Sequence, residues 1–188
     1  TASGLSPNGH SGKALRHILE TLPRDEMLQS TTEELAETSM GILALQERVR
    51  PRLFLRRDRY GRFYSALVYI PRDRFSAEVR EKVESLLMRE LHGERLDTNI
   101  QIGESPLAQM HVIVRPKAGD KVAVDAVALE AELVRIVRNW QDELREQLVA
   151  QHGEEQGIKL ANRFGKALPA GYMESVSPVL AASDILQA

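Results

Sequence analysis

Between Arg48 and Arg74 the chain places nine arginines, opposed in that stretch by Asp58 and Asp73 alone. Phe54, Tyr60, Phe63, Tyr64 and Tyr69 are interleaved with Arg56, Arg57, Arg59 and Arg62. Guanidinium forks beside ring faces suit two kinds of chemistry. They grip carboxylates or phosphates through paired N–H donors, and they stack the bases of a single strand while tracking its backbone. The flanking segments are acidic: Glu20, Asp25, Glu26, Glu33, Glu34, Glu37 and Glu47 come before, and Asp142, Glu143, Glu146, Glu154 and Glu155 come well after. Charge runs are usually solvated faces or intrachain partners. The first expectation is therefore that the basic stretch pairs with these acidic helices, within the chain or across a subunit contact. The second is an anion or nucleic-acid surface. A stand-alone RNA-binding plait is the alternative from another class. It lacks the defined aromatic motif of such plaits, strand alternation assigns several of the rings to a core, and a net charge of −2 speaks against a dedicated nucleic-acid binder. Arg56, Arg57 and Arg62 are the candidate contacts for an effector or an interface.

Other chemistries lack their residues. Cys is absent, which excludes a disulfide scaffold, a thiolate metal site and a cysteine nucleophile. No G-x-G-x-x-G or G-x-x-x-x-G-K-[ST] loop is present to cradle phosphates. His10, His17, His92, His111 and His152 show no metal-ligand spacing. His92 and His152 each precede a glycine at a helix end, where the dipole favours them, and His111 on a strand reads as a satisfied structural residue. No serine sits in a G-x-S-x-G elbow. No catalytic, cofactor-binding or metal residue is assigned.

The elements that position the arginines follow from period and punctuation. Ser11 is expected to cap a first helix carrying Leu15, Ile18, Leu19 and Leu22, closed by Pro23. Thr31 with Glu34 forms a capping box for a second. Residues 52–57 and 63–70 are β-rich and read as strands, joined at Asp58-Arg59-Tyr60-Gly61-Arg62 by a type I turn whose glycine accepts φ > 0, a hairpin with a bulge. Ser76 caps a helix with Val79, Val83, Leu86, Leu87 and Leu91 on one stripe, and Gly93 is the expected left-handed terminator. Strands follow over 95–102 and 108–115. One long helix is expected over 125–151, a shorter one over 154–168, and a last one from Ser177-Pro178. The order strand, strand, helix, strand, strand, helix is a permuted ferredoxin-like arrangement. It implies an α+β fold with an antiparallel four-stranded sheet in the order 3-4-2-1, with helices 76–92 and 124–151 on one face. The other face is left for solvent, the N-terminal helices or a second subunit. The expected organisation is a disordered lead-in over 1–10, a helical hairpin over 11–50, an α+β domain over 51–151 and a helical extension over 152–188. A chain of 188 residues, 43% apolar and 28% charged, can bury such a core without a covalent staple. No apolar run approaches the roughly 20 residues of a membrane span. A reducing, cytoplasmic compartment fits the lack of cysteine.

The stretch Arg52-Leu53-Phe54-Leu55-Arg56-Arg57-Asp58-Arg59-Tyr60-Gly61-Arg62-Phe63, followed by Leu67-Val68-Tyr69-Ile70-Pro71-Arg72-Asp73-Arg74-Phe75, resembles a signature of the bacterial large-type NAD-specific glutamate dehydrogenases. Ala14–Glu26 and the segment from His152-Gly153-Glu154-Glu155 onward are similar to the family's flanks, so the resemblance covers nearly all of 11–188. It implies an ACT-like regulatory domain with helical surroundings, a piece of a longer chain that lies upstream of the NAD-dependent catalytic domain. The parent would oxidise L-glutamate to 2-oxoglutarate and ammonia with NAD. The family's catalytic lysine, aspartate and dinucleotide loop have no matching positions here, so NAD is implied for the parent and no cofactor for this segment. The implied partners are other domains and subunits of the parent, in a homo-oligomer. An amino-acid effector held by Arg56, Arg57 or Arg62 is the alternative role, and neither membrane nor nucleic acid is expected.

Overall fold

A computed structural model of the chain describes residues 9–117, 119, 122–165 and 167–185. Helices α1 (His10–Thr21), α2 (Arg24–Gln29) and α3 (Thr32–Glu47) precede strands β1 (Arg52–Arg57) and β2 (Tyr64–Pro71). Helix α4 (Ala77–Glu90), strands β3 (Gly93–Gln101) and β4 (Leu107–Pro116) and helix α5 (Ala126–Val137) follow. The chain ends in α6 (Trp140–His152), α7 (Glu154–Phe164), α8 (Ala170–Ser175) and α9 (Pro178–Ile185). It divides into two compact units between Val137 and Arg138.

In the first unit the four strands form one antiparallel sheet in the order β1-β2-β4-β3, as the sequence implies. Leu53, Val68, Met110 and Ile100 are register partners across it. With Ala66, Ile70, Val112 and Val114 they meet Val83, Leu86 and Leu87 of α4 and Leu129, Leu133 and Val137 of α5. A strand's successive side chains point to opposite faces, so Phe54, Leu67 and Tyr69 meet the other side. That side packs on Ile18, Leu22, Ile42 and Leu45 of α1 and α3. Of the three covers left open by the sequence, the chain's own N-terminal helices take this face. Both faces of β2 are thus buried along its whole length.

Caps set the helix boundaries. The Thr31–Glu34 capping box is present in both directions, and Ser76 accepts from the Val79 N–H as expected. Four expectations change. Helix α1 starts at His10 with Gly9, and not Ser11, at its cap. The joint within the helical hairpin expected over 11–50 is itself a short helix, α2. His92, at φ 49°, takes the left-handed position assigned to Gly93, and Gly93 opens β3. The long helix expected over 125–151 is two helices. Asn139 caps α6 and exchanges hydrogen bonds with Asp142, and α6 falls in the second unit. The lead-in expected over 1–10 has residues 1–8 outside the described residues.

The second unit packs Leu144 and Leu148 of α6 on Ala161 of α7 and on Ala181 and Ala182 of α9. Trp140 Nε1 donates to the Val176 carbonyl at 2.8 Å. Helices α6 and α7 pack tightly at Gly157, where an added Cβ would run into the Val149 and Leu148 backbone. Backbone cannot yield as a flexible side chain does. Gly157→Ala is therefore expected to destabilise this unit by about 1–3 kcal/mol in urea unfolding, by overpacking. An unchanged midpoint would contradict the close approach.

Candidate functional site

The arginine-rich hairpin is built around Asp58. The Gly61 N–H donates to the Asp58 carbonyl at 2.8 Å, and the Asp58 N–H donates to the Phe63 carbonyl at 2.9 Å. Gly61 has φ 69°, a conformation that costs a side-chain-free residue little. The buried Asp58 carboxylate accepts from the backbone N–H groups of Tyr60 and Arg62, each at 3.1 Å, and from both arms of the Arg62 guanidinium at 2.9 and 3.0 Å. The Arg62 guanidinium and these backbone donors hold the Asp58 carboxyl well below the usual carboxylate range. The Arg62 guanidinium also lies over the rings of Tyr60, at 5.2 Å, and Phe63, at 5.8 Å.

One strand turn away, Arg56 points to the opposite face and meets Glu26 of α2. Its Nη2 donates to Oε1 at 2.8 Å and its Nε to Oε2 at 3.2 Å, a two-pronged pair. Ser65, the register partner of Arg56 on β2, donates to Glu26 Oε1 at 2.5 Å. His111 Nε2 lies 2.8 Å from Ser65 Oγ and 3.6 Å from Glu26 Oε1. Glu26 is the one buried residue of α2. Burial pushes its carboxyl up. The nearby His111 ring, hydrogen bonds from Arg56 and Ser65, and the Arg56 charge outweigh burial and hold it at about 2. The same pairing raises the Arg56 guanidinium further. Beside this cluster, Tyr69 donates to Gln109 Oε1 at 3.2 Å, and burial pushes its hydroxyl up.

A serine beside a histidine and a glutamate invites a catalytic reading, but the roles do not fit. In a nucleophilic triad the carboxylate orients the histidine from the nitrogen remote from serine. Here the carboxylate itself accepts the serine hydroxyl's hydrogen bond and faces the same Nε2, and Arg56 occupies both of its oxygens. Ser65 is 1% exposed, so no substrate carbonyl reaches it. The cluster is a strut that ties α2 to the sheet. Among the described residues, no three His, Asp or Glu side chains converge as metal ligands.

The three candidate arginines therefore part company. Arg56 is turned inward and neutralised. Arg62 is bound to Asp58 while remaining largely exposed. Arg57 is exposed, with its guanidinium 5.7 Å from the Tyr64 ring centre. Arg52, not singled out by the sequence, donates to Glu130 of α5 at 2.7 Å, and the other oxygen of Glu130 accepts the outward N–H of Leu53 on the sheet edge. The signal for Glu26 was its place in the acidic segment before the hairpin. Nothing in its spacing marked it off from Asp25 or Glu33.

Removing the Glu26 carboxylate strands a buried guanidinium. Glu26→Ala is expected to cost about 3–5 kcal/mol of first-unit stability, measured by denaturant unfolding. Because the folded carboxyl lies below its ordinary value of 4.5, its contribution is fully present above that value and is lost as pH falls toward 2. Wild-type stability should decline through this window, and the Glu26→Ala chain should show a shallower decline. Equal slopes would contradict the strut.

Comparison with known proteins bears on what this arrangement belongs to. Residues 52–141, which hold the sheet with α4 and α5, match the family model of the glutamate dehydrogenase ACT2 domain. Residues 1–48 match glutamate dehydrogenase helical motif 1, and residues 147–188 match helical motif 2. The chain is 44% identical over 183 residues to an NAD-specific glutamate dehydrogenase of Halomonas elongata, covering 97% of this chain. It is 38% identical over 183 residues to that of Pseudomonas aeruginosa, again over 97% of this chain. To that of Mycobacterium tuberculosis it is 31% identical over 196 residues and 98% of this chain. It spans 11% of the length of the first two relatives and 12% of the third. Matched nearly throughout by three parts of one family, with its sheet and its helical flanks where those parts fall, the chain belongs to the NAD-specific glutamate dehydrogenases and carries their ACT2 domain between helical motifs 1 and 2.

Proposed function

We propose that this chain is a non-catalytic regulatory and oligomerisation segment of an enzyme that oxidises L-glutamate to 2-oxoglutarate and ammonia with NAD. The observation that carries the reading is the closed polar cluster. Glu26, Arg56, Ser65 and His111 satisfy one another and weld a helical motif to a sheet, which is the chemistry of a scaffold. The strand-to-helix connection from β2 to α4 supports it further. Residues 71–77 contain no glycine, so side chains stand where a dinucleotide loop keeps its backbone bare for the pyrophosphate. That connection does not fit NAD. The partners in this reading are other domains and subunits of the longer enzyme, in the cytoplasm and without nucleic acid.

An amino-acid effector bound by the hairpin is the weaker role. At Arg56 or Arg62 its carboxylate would have to displace Glu26 or Asp58 and leave a buried anion unpaired, so the exposed Arg57 is the one candidate that could meet it without such a cost. Of the three candidates, Arg57 and Arg62 are the ones we propose as interface contacts.

Two measurements on the 188-residue chain test this. Sedimentation velocity should show concentration-dependent self-association, and titration with NAD should give no saturable signal up to millimolar concentration. A strictly monomeric chain, or one that binds NAD saturably, would overturn the reading.

A further inference from the structure

The hairpin tip is rigid and yet faces water. Asp58 spends its carboxylate on holding the turn, so it offers no charge outward. Around it Arg57, Arg59 and Arg62 are exposed, and the Tyr60 ring is 77% exposed. Arg59 pairs with no carboxylate among the described residues. Tyrosine and arginine on a pre-ordered loop are the side chains that anchor protein interfaces, because little freedom is lost on docking.

A surface of complementary character lies along β1. Between α3 and α5 runs a groove of about 550 Å³ that carries Glu34, Glu37 and Glu130 on its walls beside Arg52 and the Glu26–Arg56 pair, so that carboxylates outnumber guanidiniums, with Phe54 and Val127 as apolar contacts. Val127 is 81% exposed. Glu34 and Glu130 are partly engaged by the Thr31 N–H and by Arg52. Glu37 has no ion pair or hydrogen bond among the described residues.

We propose that the Arg59-Tyr60 tip of one copy of this chain docks in the acidic groove of a second copy, Arg59 against Glu37 and Tyr60 against Val127 and Phe54. The proposal rests on the oligomerisation reading above and names its surface. The topology makes the contact reciprocal. Strand β1 lines the groove and leads directly into the tip, so a two-fold axis beside β1 brings each tip to the other copy's groove. That is the self-complementary pattern of a closed dimer. The contact is made by side chains and not by strand addition, because Glu130 already occupies the Leu53 N–H on that edge.

The test is a charge exchange on the 188-residue chain, read by sedimentation equilibrium at low and high salt. Arg59→Glu and Glu37→Arg should each weaken the homodimer about tenfold or more, and salt should weaken the wild type. Both positions are exposed, so thermal melts should stay unchanged and confirm the fold. An equimolar mixture of the two variants should regain wild-type affinity as a heterodimer, since each tip then meets a groove of opposite charge. A mixture no tighter than its components overturns the proposal. Association unchanged by either variant also overturns it, and leaves oligomerisation standing through another surface. A wild-type chain that stays monomeric overturns both readings. Salt-sensitive binding of a single-stranded oligonucleotide that Arg59→Glu abolishes, with self-association unmoved, would assign the tip to nucleic acid and overturn this surface.

Discussion

A carboxylate taken out of water destabilises a fold unless its charge is met, and Glu26 is met by the Arg56 fork and the Ser65 hydroxyl, with His111 alongside. The arrangement of the first unit depends on this. Helix α2 buries no other residue, so the pair fixes where the chain turns between α1 and α3. Those two helices in turn cover the second face of the sheet, where Leu67 and Tyr69 would otherwise stand in water. The pair sets register as well as position. Arg56 and Ser65 are opposite one another on adjacent strands, and a one-residue slip of β1 would send Arg56 to the α4–α5 face and away from Glu26.

The same alternation explains how one run of arginines serves different ends. Arg56 and Arg57 are neighbours in sequence and point to opposite sides of β1. One is consumed by a buried carboxylate, and the other lies exposed near the Tyr64 ring. Two positions beyond the strand, Arg59 stands on a turn held by a different carboxylate, Asp58. Charge density in the sequence is therefore a poor measure of charge offered to a partner, because a large share of it is spent in holding the hairpin and its helical cover in place.

Much of the fold could be read from local signals. The hairpin follows from an aspartate and a glycine in the right places between β-rich runs. The Thr31 and Ser76 caps act within four residues. The sheet order followed from the succession of elements. What stayed hidden depended on tertiary competition. The stripe from Leu129 to Leu148 keeps helical phase across the α5–α6 break, so periodicity could not see that Asn139 and Asp142 cap a new helix there. His92 takes a left-handed backbone that the rule for glycine assigned to its neighbour. Glu26 was indistinguishable from its acidic neighbours until Arg56 and Ser65, far along the chain, were brought to it. The candidate arginines were thus legible as a group, while the division of labour among them was not.

A double-mutant cycle on Glu26 and Arg56, read by urea unfolding, tests the central claim most directly. If the pair is the strut that joins the helical motif to the sheet, removing both side chains should cost far less than the two single removals together. The coupling expected is about 1–3 kcal/mol. Single effects that add to within about 0.5 kcal/mol would contradict it, and would mean that the helices are held on the sheet by apolar contact alone.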